Sequence, residues 1–149
     1  MKPVVVSASL KIDIGKEASL QLATEFNLYK AGQTYLGEFF GKDVPFIKPK
    51  QVVEQNLWHV HLETDLVTRQ WGKLAEREAD QDRFTSDRIL VYTMFGDFHL
   101  QPFMLLTLLD PGHSHMADPI FMRSLADLSE KERSAYSRDP ANEDWIIVK

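Results

Sequence analysis

Residues 54–63 constrain the fold more than any other stretch of this chain. Within them Trp58, Val60 and Leu62 alternate with His59, His61 and Glu63. Side chains along a strand point to opposite faces with period two, so the segment reads as a strand with one apolar and one polar face. It therefore belongs in a sheet whose Trp58 side packs on a core and whose His59 and His61 side carries polar groups.

The remaining elements follow from pattern and punctuation. Residues 4–14 are rich in valine and read as a first strand broken by Gly15. Residues 16–31 place Leu22, Phe26 and Tyr29 at i, i+4 and i+7, which predicts a helix with Gly32 beyond its end. A short helix is expected over 35–40, stopped by Gly41, and a loop over 43–49, which holds Pro45 and Pro49. The charge-dense stretch 65–83 reads as a helix or ordered excursion around Trp71 and Leu74. Two strands are expected over 88–95 and 99–109, joined at Gly96-Asp97. A helix is expected over 118–136, with Pro119 in its first turn and Phe121, Leu125 and Leu128 as its apolar stripe. A loop over 139–143 and an apolar tail over 145–148, an edge strand or a cover for the core, complete the reading. Strand, helices, an antiparallel run of strands and a final helix imply an α+β fold: a mostly antiparallel sheet with helices packed on one face. The other face is then open to water or substrate.

The 149 residues fit one domain, 1–149, with a single core. Hydrophobic residues at 44% and charged residues at 26% describe an ordinary globular chain, not a disordered one. There is no cysteine, which excludes disulfides, thiolate metal sites and cysteine nucleophiles and suits a reducing compartment. The opening Met1-Lys2-Pro3-Val4-Val5-Val6 is too short and broken for a signal peptide, and no apolar run approaches the roughly 20 residues that span a bilayer. A cytoplasmic protein without membrane contact is expected. The net charge of −5 and pI near 5.5 argue against a general affinity for nucleic-acid phosphates and leave room only for a local basic site.

Three constellations can carry chemistry. His59 and His61 stand roughly 6–7 Å apart on one strand face. Imidazole there can act as acid, base or metal ligand, or the two can simply be exposed strand residues. The run Asp82-Arg83-Phe84-Thr85-Ser86-Asp87-Arg88 enters a strand. Arg83 and Arg88 can grip a phosphate through their guanidinium forks. Alternatively, Thr85, Ser86 and Asp87 form a plain turn with side-chain-to-backbone bonds. His113-Ser114-His115 follows a strand end, a common place for functional groups. Both His-x-His pairs, with Glu63 or Asp118, also suit a divalent metal. There is no Gly-rich phosphate loop, no Gly-x-Ser-x-Gly and no His-Glu-x-x-His.

Four stretches resemble the YafO-like toxins. Phe26-Asn27-Leu28-Tyr29-Lys30 followed by Phe40-Gly41-Lys42-Asp43 is similar to their tyrosine-lysine and Phe-Gly-basic-Asp segments. Leu57-Trp58-His59-Val60-His61-Leu62 resembles their His-x-His-Leu strand. Thr85-Ser86-Asp87 with Leu90-Val91-Tyr92 resembles their Thr-Ser/Asn-Asp and Leu-Val-Tyr strand. Leu105-Leu106-Thr107-Leu108-Leu109-Asp110-Pro111 with His113 resembles their closing strand. The four occur in the family's order across residues 22–133. Phe84 stands where relatives commonly carry a basic residue, and the 139–149 tail extends beyond the family's minimal form.

The resemblance implies a RelE-like fold and a type II toxin that cuts mRNA, in association with the ribosome, by metal-independent transesterification. It implies no cofactor and no metal. It implies a cognate antitoxin, and DNA contact only through that antitoxin. Mapped here, His59, His61 and His113 are the acid or base candidates, Arg83 and Arg88 the phosphate-binding ones, and Asp87 an orienting group. Tyr92, Thr85 and Ser86 are the further substrate contacts. Tyr29, Lys30 and the segment 40–43 read as structural. Two other classes remain: a non-catalytic binding module of the same fold, and a metal-dependent enzyme using the motif histidines.

Overall fold

A computed structural model describes residues 2–95 and 102–149 of the chain. Strand β1 (Val4–Val6) is only three residues long. The strand expected over 4–14 stops at Ser7, which caps a helix instead. Its hydroxyl accepts from Leu10 N–H at 3.1 Å and donates to Leu106 O at 2.8 Å, so α1 (Ala8–Ile14) starts there. Gly15 then separates α1 from α2 (Lys16–Lys30), which buries Leu22 and Phe26 as the spacing predicts.

Strand β2 (Phe40–Pro45) takes up residue 40 and the start of the loop expected over 43–49; residues 46–49 are loop as expected, and 35–39 form turns and bends where a helix is expected. It pairs antiparallel with β3 (Leu57–Leu62), with Phe40 opposite Leu62 and Val44 opposite His59. Pro45 is tolerated because β2 is an edge strand. Between them lies the short α3 (Lys50–Glu54). The stretch 65–83 contains α4 (Thr68–Glu76) and a 3-10 turn, Gln81–Arg83. Its Trp71 and Leu74 pack with Phe84 in a small separate cluster. Strands β4 (Ile89–Met94) and β5 (Phe103–Leu109) pair antiparallel. The Gly96-Asp97 turn lies outside the described residues. A five-residue helix, α5 (Gly112–Met116), follows where a loop bearing His113 and His115 is expected. Asp118 caps α6 (Pro119–Arg138), accepting from Ile120 N–H at 3.0 Å, with Pro119 at its first position. The tail forms the edge strand β6 (Ile146–Val148).

The six strands run in the order β2-β3-β4-β5-β1-β6, and every pairing except β1 with β5 is antiparallel. The α+β class is as the element order implies. The helices, however, occupy both faces rather than one. On one face Val60, Leu62, Leu90, Tyr92 and Leu105 pack under Leu22 and Phe26 of α2. On the other, Leu57, Ile89, Val91 and Met104 pack under Met122 and Leu125 of α6 and Val52 of α3. The reason is composition: Val4-Val5-Val6, Ile89-Leu90-Val91 and Met104-Leu105-Leu106 are apolar at consecutive positions and are buried on both sides. In β3, by contrast, polar His59 and His61 alternate with Trp58, Val60 and Leu62. No described helix is long and apolar enough to cross a membrane.

Candidate functional site

Strand β3 places His59 and His61 on the α6 side of the sheet, beside Leu57. This side is not the open polar surface that the alternation suggests. His61 is buried and His59 half-buried, with the Phe46 ring stacked on His59 at 4.2 Å. The chain turns into β4 at Ser86, and Ser86 meets His61. Its N–H donates to His61 Nδ1 at 2.9 Å, and its carbonyl lies 2.8 Å from the same nitrogen. Neutral His61 can accept from the N–H. With Nδ1 protonated, it donates to the carbonyl. Both protonation states therefore have a partner on one residue. The Ser86 hydroxyl is itself spent on Leu62 O at 2.6 Å. Ser86 thus holds His61 and offers no side chain to a substrate, in keeping with a plain turn.

Helix α5 supplies the third imidazole. A side chain on Gly112 would collide with Ile89, so only glycine lets α5 dock this close to β4. Asp87 Oδ1 then accepts from His113 N–H at 2.8 Å and lies 2.8 Å from His113 Nδ1. The rings form a file: His59 to His61 is 6.0 Å and His61 to His113 is 5.8 Å between centroids. His115 points elsewhere, its ring 4.4 Å from Phe121. Among the described residues no three His, Asp or Glu side chains converge as a metal-ligand set.

The electrostatics separate the three rings. Burial, then the neighbouring His61 and Lys42, push His59 down to about 4, so it is neutral at physiological pH. Its Nδ1 is buried without a hydrogen-bond partner among the described residues. Burial also lowers His61, opposed by its bond to Ser86, while His113 and Lys42 add to the lowering. Asp87 is held below the usual carboxylate range by the His113 N–H and then by its ring.

The cation of the site is Lys42, which lies in the 40–43 segment that the sequence marks as structural. Its charge bears on both His59 and His61. Lys42 sits at a bulge in β2 between Phe40 and Asp43, where its N–H donates to Phe84 O at 2.8 Å. A side chain on Gly41 would strike that same Phe84 carbonyl. The basic residue of Phe40-Gly41-Lys42-Asp43 is the one sequence signal for this cation. Arg83 is not brought to the histidines. It is exposed beside Lys73 and Glu76 of α4 and Arg77 just past its end. Arg88 pairs at the surface with Asp110 at 3.2 Å. Thr85 is exposed, and its backbone carbonyl accepts from Trp71 Nε1 of α4 at 3.0 Å.

Tyr92, expected among the substrate contacts, has no exposed surface. It is fully buried on the opposite face, where its hydroxyl donates to Asp43 Oδ1 at 2.7 Å and accepts from Lys30 Nζ at 2.8 Å. Lys30 also reaches Asp43 Oδ2 at 2.7 Å, and Tyr29 donates to the same oxygen at 2.7 Å. This network, and not a binding surface, absorbs Tyr29, Lys30 and Asp43.

A family model described as Toxin YafO, type II toxin-antitoxin system, matches residues 27–134. The chain belongs to this toxin family. No curated protein and no solved structure matches it significantly. The matched stretch runs from α2 to α6 and contains every residue of the imidazole file, Lys42 and the Lys30–Asp43 network. The toxin's α+β sheet is in keeping with a RelE-like fold. Membership in a type II system implies an antitoxin as partner.

Proposed function

We propose that the toxin is an endoribonuclease that cuts mRNA, in association with the ribosome, by metal-independent transesterification. The observation that carries this reading is the pair His61 and His113. Their rings are 5.8 Å apart, and each has its Nδ1 tied to a fixed partner, which leaves Nε2 for a substrate. With Nδ1–H on the Ser86 carbonyl, His61 Nε2 takes the proton of the ribose 2′-hydroxyl. The 2′-oxygen then bonds to the adjacent phosphorus. The bond from phosphorus to the 5′-oxygen breaks, and His113, oriented by Asp87, acts as the acid that gives that oxygen a proton. The products are a 2′,3′-cyclic phosphate and a 5′-hydroxyl. Lys42 offsets the charge that builds on the phosphoryl oxygens. His59, neutral and stacked on Phe46, lines the file as a hydrogen-bonding wall.

A second reading, a toxin that binds without cutting, is favoured by the near-complete burial of His61. Expression of the chain from a tight promoter separates the two. Growth arrest with new 5′-hydroxyl ends on mRNA, lost in His61→Ala and in His113→Ala, is expected. Arrest with intact mRNA selects the binding-only reading, and normal growth with intact mRNA ends the nuclease proposal.

A further inference from the structure

The imidazole file has a basic end and an acidic end. At the His59 end, the Phe46 ring stacks on His59, and two residues on, the chain carries exposed Lys48 and then Lys50. Residues 39–53 hold Lys42, Lys48 and Lys50 and a single acid, Asp43. Asp43 is turned to the other face and neutralised by Lys30. Lys50 has only a surface contact to Glu54 at 3.6 Å, which solvent screens. On a chain of net charge −5, this edge has Lys42, Lys48 and Lys50 against Asp43, held by Lys30, and the exposed Glu54, and so carries a local excess of positive charge.

At the His113 end the sign reverses. Asp87, which holds His113, also lines a cavity of about 430 Å³ with Glu63, Asp65, Asp110 and Arg88. Arg88, the one cation there, is engaged by Asp110. A phosphate chain crossing this cavity would meet carboxylates, while one crossing residues 46–50 would meet lysines.

We propose that the RNA strand leaves the histidines in one direction only, over the β2–α3 loop along Lys48 and Lys50, and is excluded from the acidic cavity beside Asp87. This rests on the reading of the toxin as an RNA-cutting protein and adds the path of its substrate. Such a path also accounts for how an acidic chain holds a polyanion: the contact is one short basic edge and not the whole surface. Exposed Ile47, between Phe46 and Lys48, offers an apolar surface to a base whose phosphates the lysines hold.

The test is fluorescence anisotropy with a labelled single-stranded RNA of roughly 12 nucleotides, a length that covers a typical single-strand site. It is run on the full chain across a salt series. Lys48→Ala with Lys50→Ala is expected to weaken binding about tenfold and to make the salt slope shallower by about 1.4, since each single-strand phosphate contact contributes about 0.7. Asp65→Lys is expected to tighten binding. Lys11→Ala with Lys131→Ala, on a distant surface, is expected to leave it unchanged. The path is overturned if the unmutated chain does not bind this RNA, or if the Lys48/Lys50 variant binds as tightly as the parent. It is equally overturned if the Lys11/Lys131 variant loses as much, or if the Lys48/Lys50 variant loses a protein partner in place of RNA affinity. Cleavage is scored separately by 5′-hydroxyl ends. A chain that cuts mRNA but ignores Lys48 and Lys50 refutes the path alone, and one that binds through them without cutting refutes the nuclease reading alone.

Discussion

Asp87 holds His113 twice through one oxygen, with Oδ1 2.8 Å from both the backbone nitrogen and Nδ1 of His113. The two residues are 26 positions apart, and the double contact fixes both the start of α5 and the direction of the ring. The carboxylate therefore sets which nitrogen faces a substrate. Asp87→Asn keeps the shape and removes the charge. A positioned acid contributes about 10²–10⁴-fold to rate, so this variant is expected to lower mRNA cleavage by at least about 100-fold. Circular dichroism should be unchanged. An unaltered cleavage rate would remove the Asp87–His113 pair from the mechanism.

Lys42 and Arg83 make opposite predictions. Lys42 acts on both buried histidines, whereas Arg83 sits against α4. Loss of a charge-stabilising donor costs about 10²–10³-fold in rate. Lys42→Ala is accordingly expected to abolish growth arrest, and Arg83→Ala to leave it intact. The reverse result would transfer the phosphate-binding role to Arg83.

The burial of His59 ties stability to pH. Its folded value is about 4 against a usual 6.5, so between these limits the unfolded chain binds more protons than the folded one. Stability is fully present above about pH 6.5 and is lost as pH falls toward 4, by at most about 3 kcal/mol from this residue. His61, shifted in the same direction, adds to the same trend. Urea unfolding at about pH 4.5 and about pH 7 measures the difference. His59→Gln has no proton to gain and should show a flatter dependence. Equal slopes for the two proteins would mean that His59 is not held neutral.

Lys30 and Tyr92 belong to stability and not to chemistry. Asp43 is almost fully buried, and Lys30 Nζ lies 4.8 Å from the Tyr92 ring centroid and 5.2 Å from that of Tyr29. Lys30→Met leaves the carboxylate without its cation and is expected to cost about 3 kcal/mol, measured by urea unfolding. Tyr92→Phe removes one hydroxyl between Lys30 and Asp43, at about 1–2 kcal/mol. Because Tyr92 faces away from the histidines, that variant should cut mRNA at the parental rate once folded. A large loss of cleavage with stability intact would place Tyr92 back among the substrate contacts.

Several features of the fold are legible in local pattern alone. The alternation over β3 puts His59 and His61 on one face and Trp58, Val60 and Leu62 on the other, as found. The Asp118-Pro119 start of α6 and the helical spacing of Leu22 and Phe26 are equally local and equally as found. The strand expected through Ile14 failed because Ser7 bonds to Leu106, a residue 99 positions away. No window of neighbouring residues contains that information.

The sequence by itself determined the long helices α2 and α6, the central strands β3 to β5, the α+β class, the family and the histidines worth attention. These depend on periodicity and on short motifs, which are properties of adjacent residues. Tertiary structure alone decided that helices cover both sheet faces, that Ser86 serves His61, that the charge of Lys42 reaches the rings while Arg83 sits against α4, and that Tyr92 is sealed in the core. Each of these depends on strand register and on which helix closes over which face. Those are set by packing between segments far apart in the chain, where a one-residue shift turns a side chain from the site to the core.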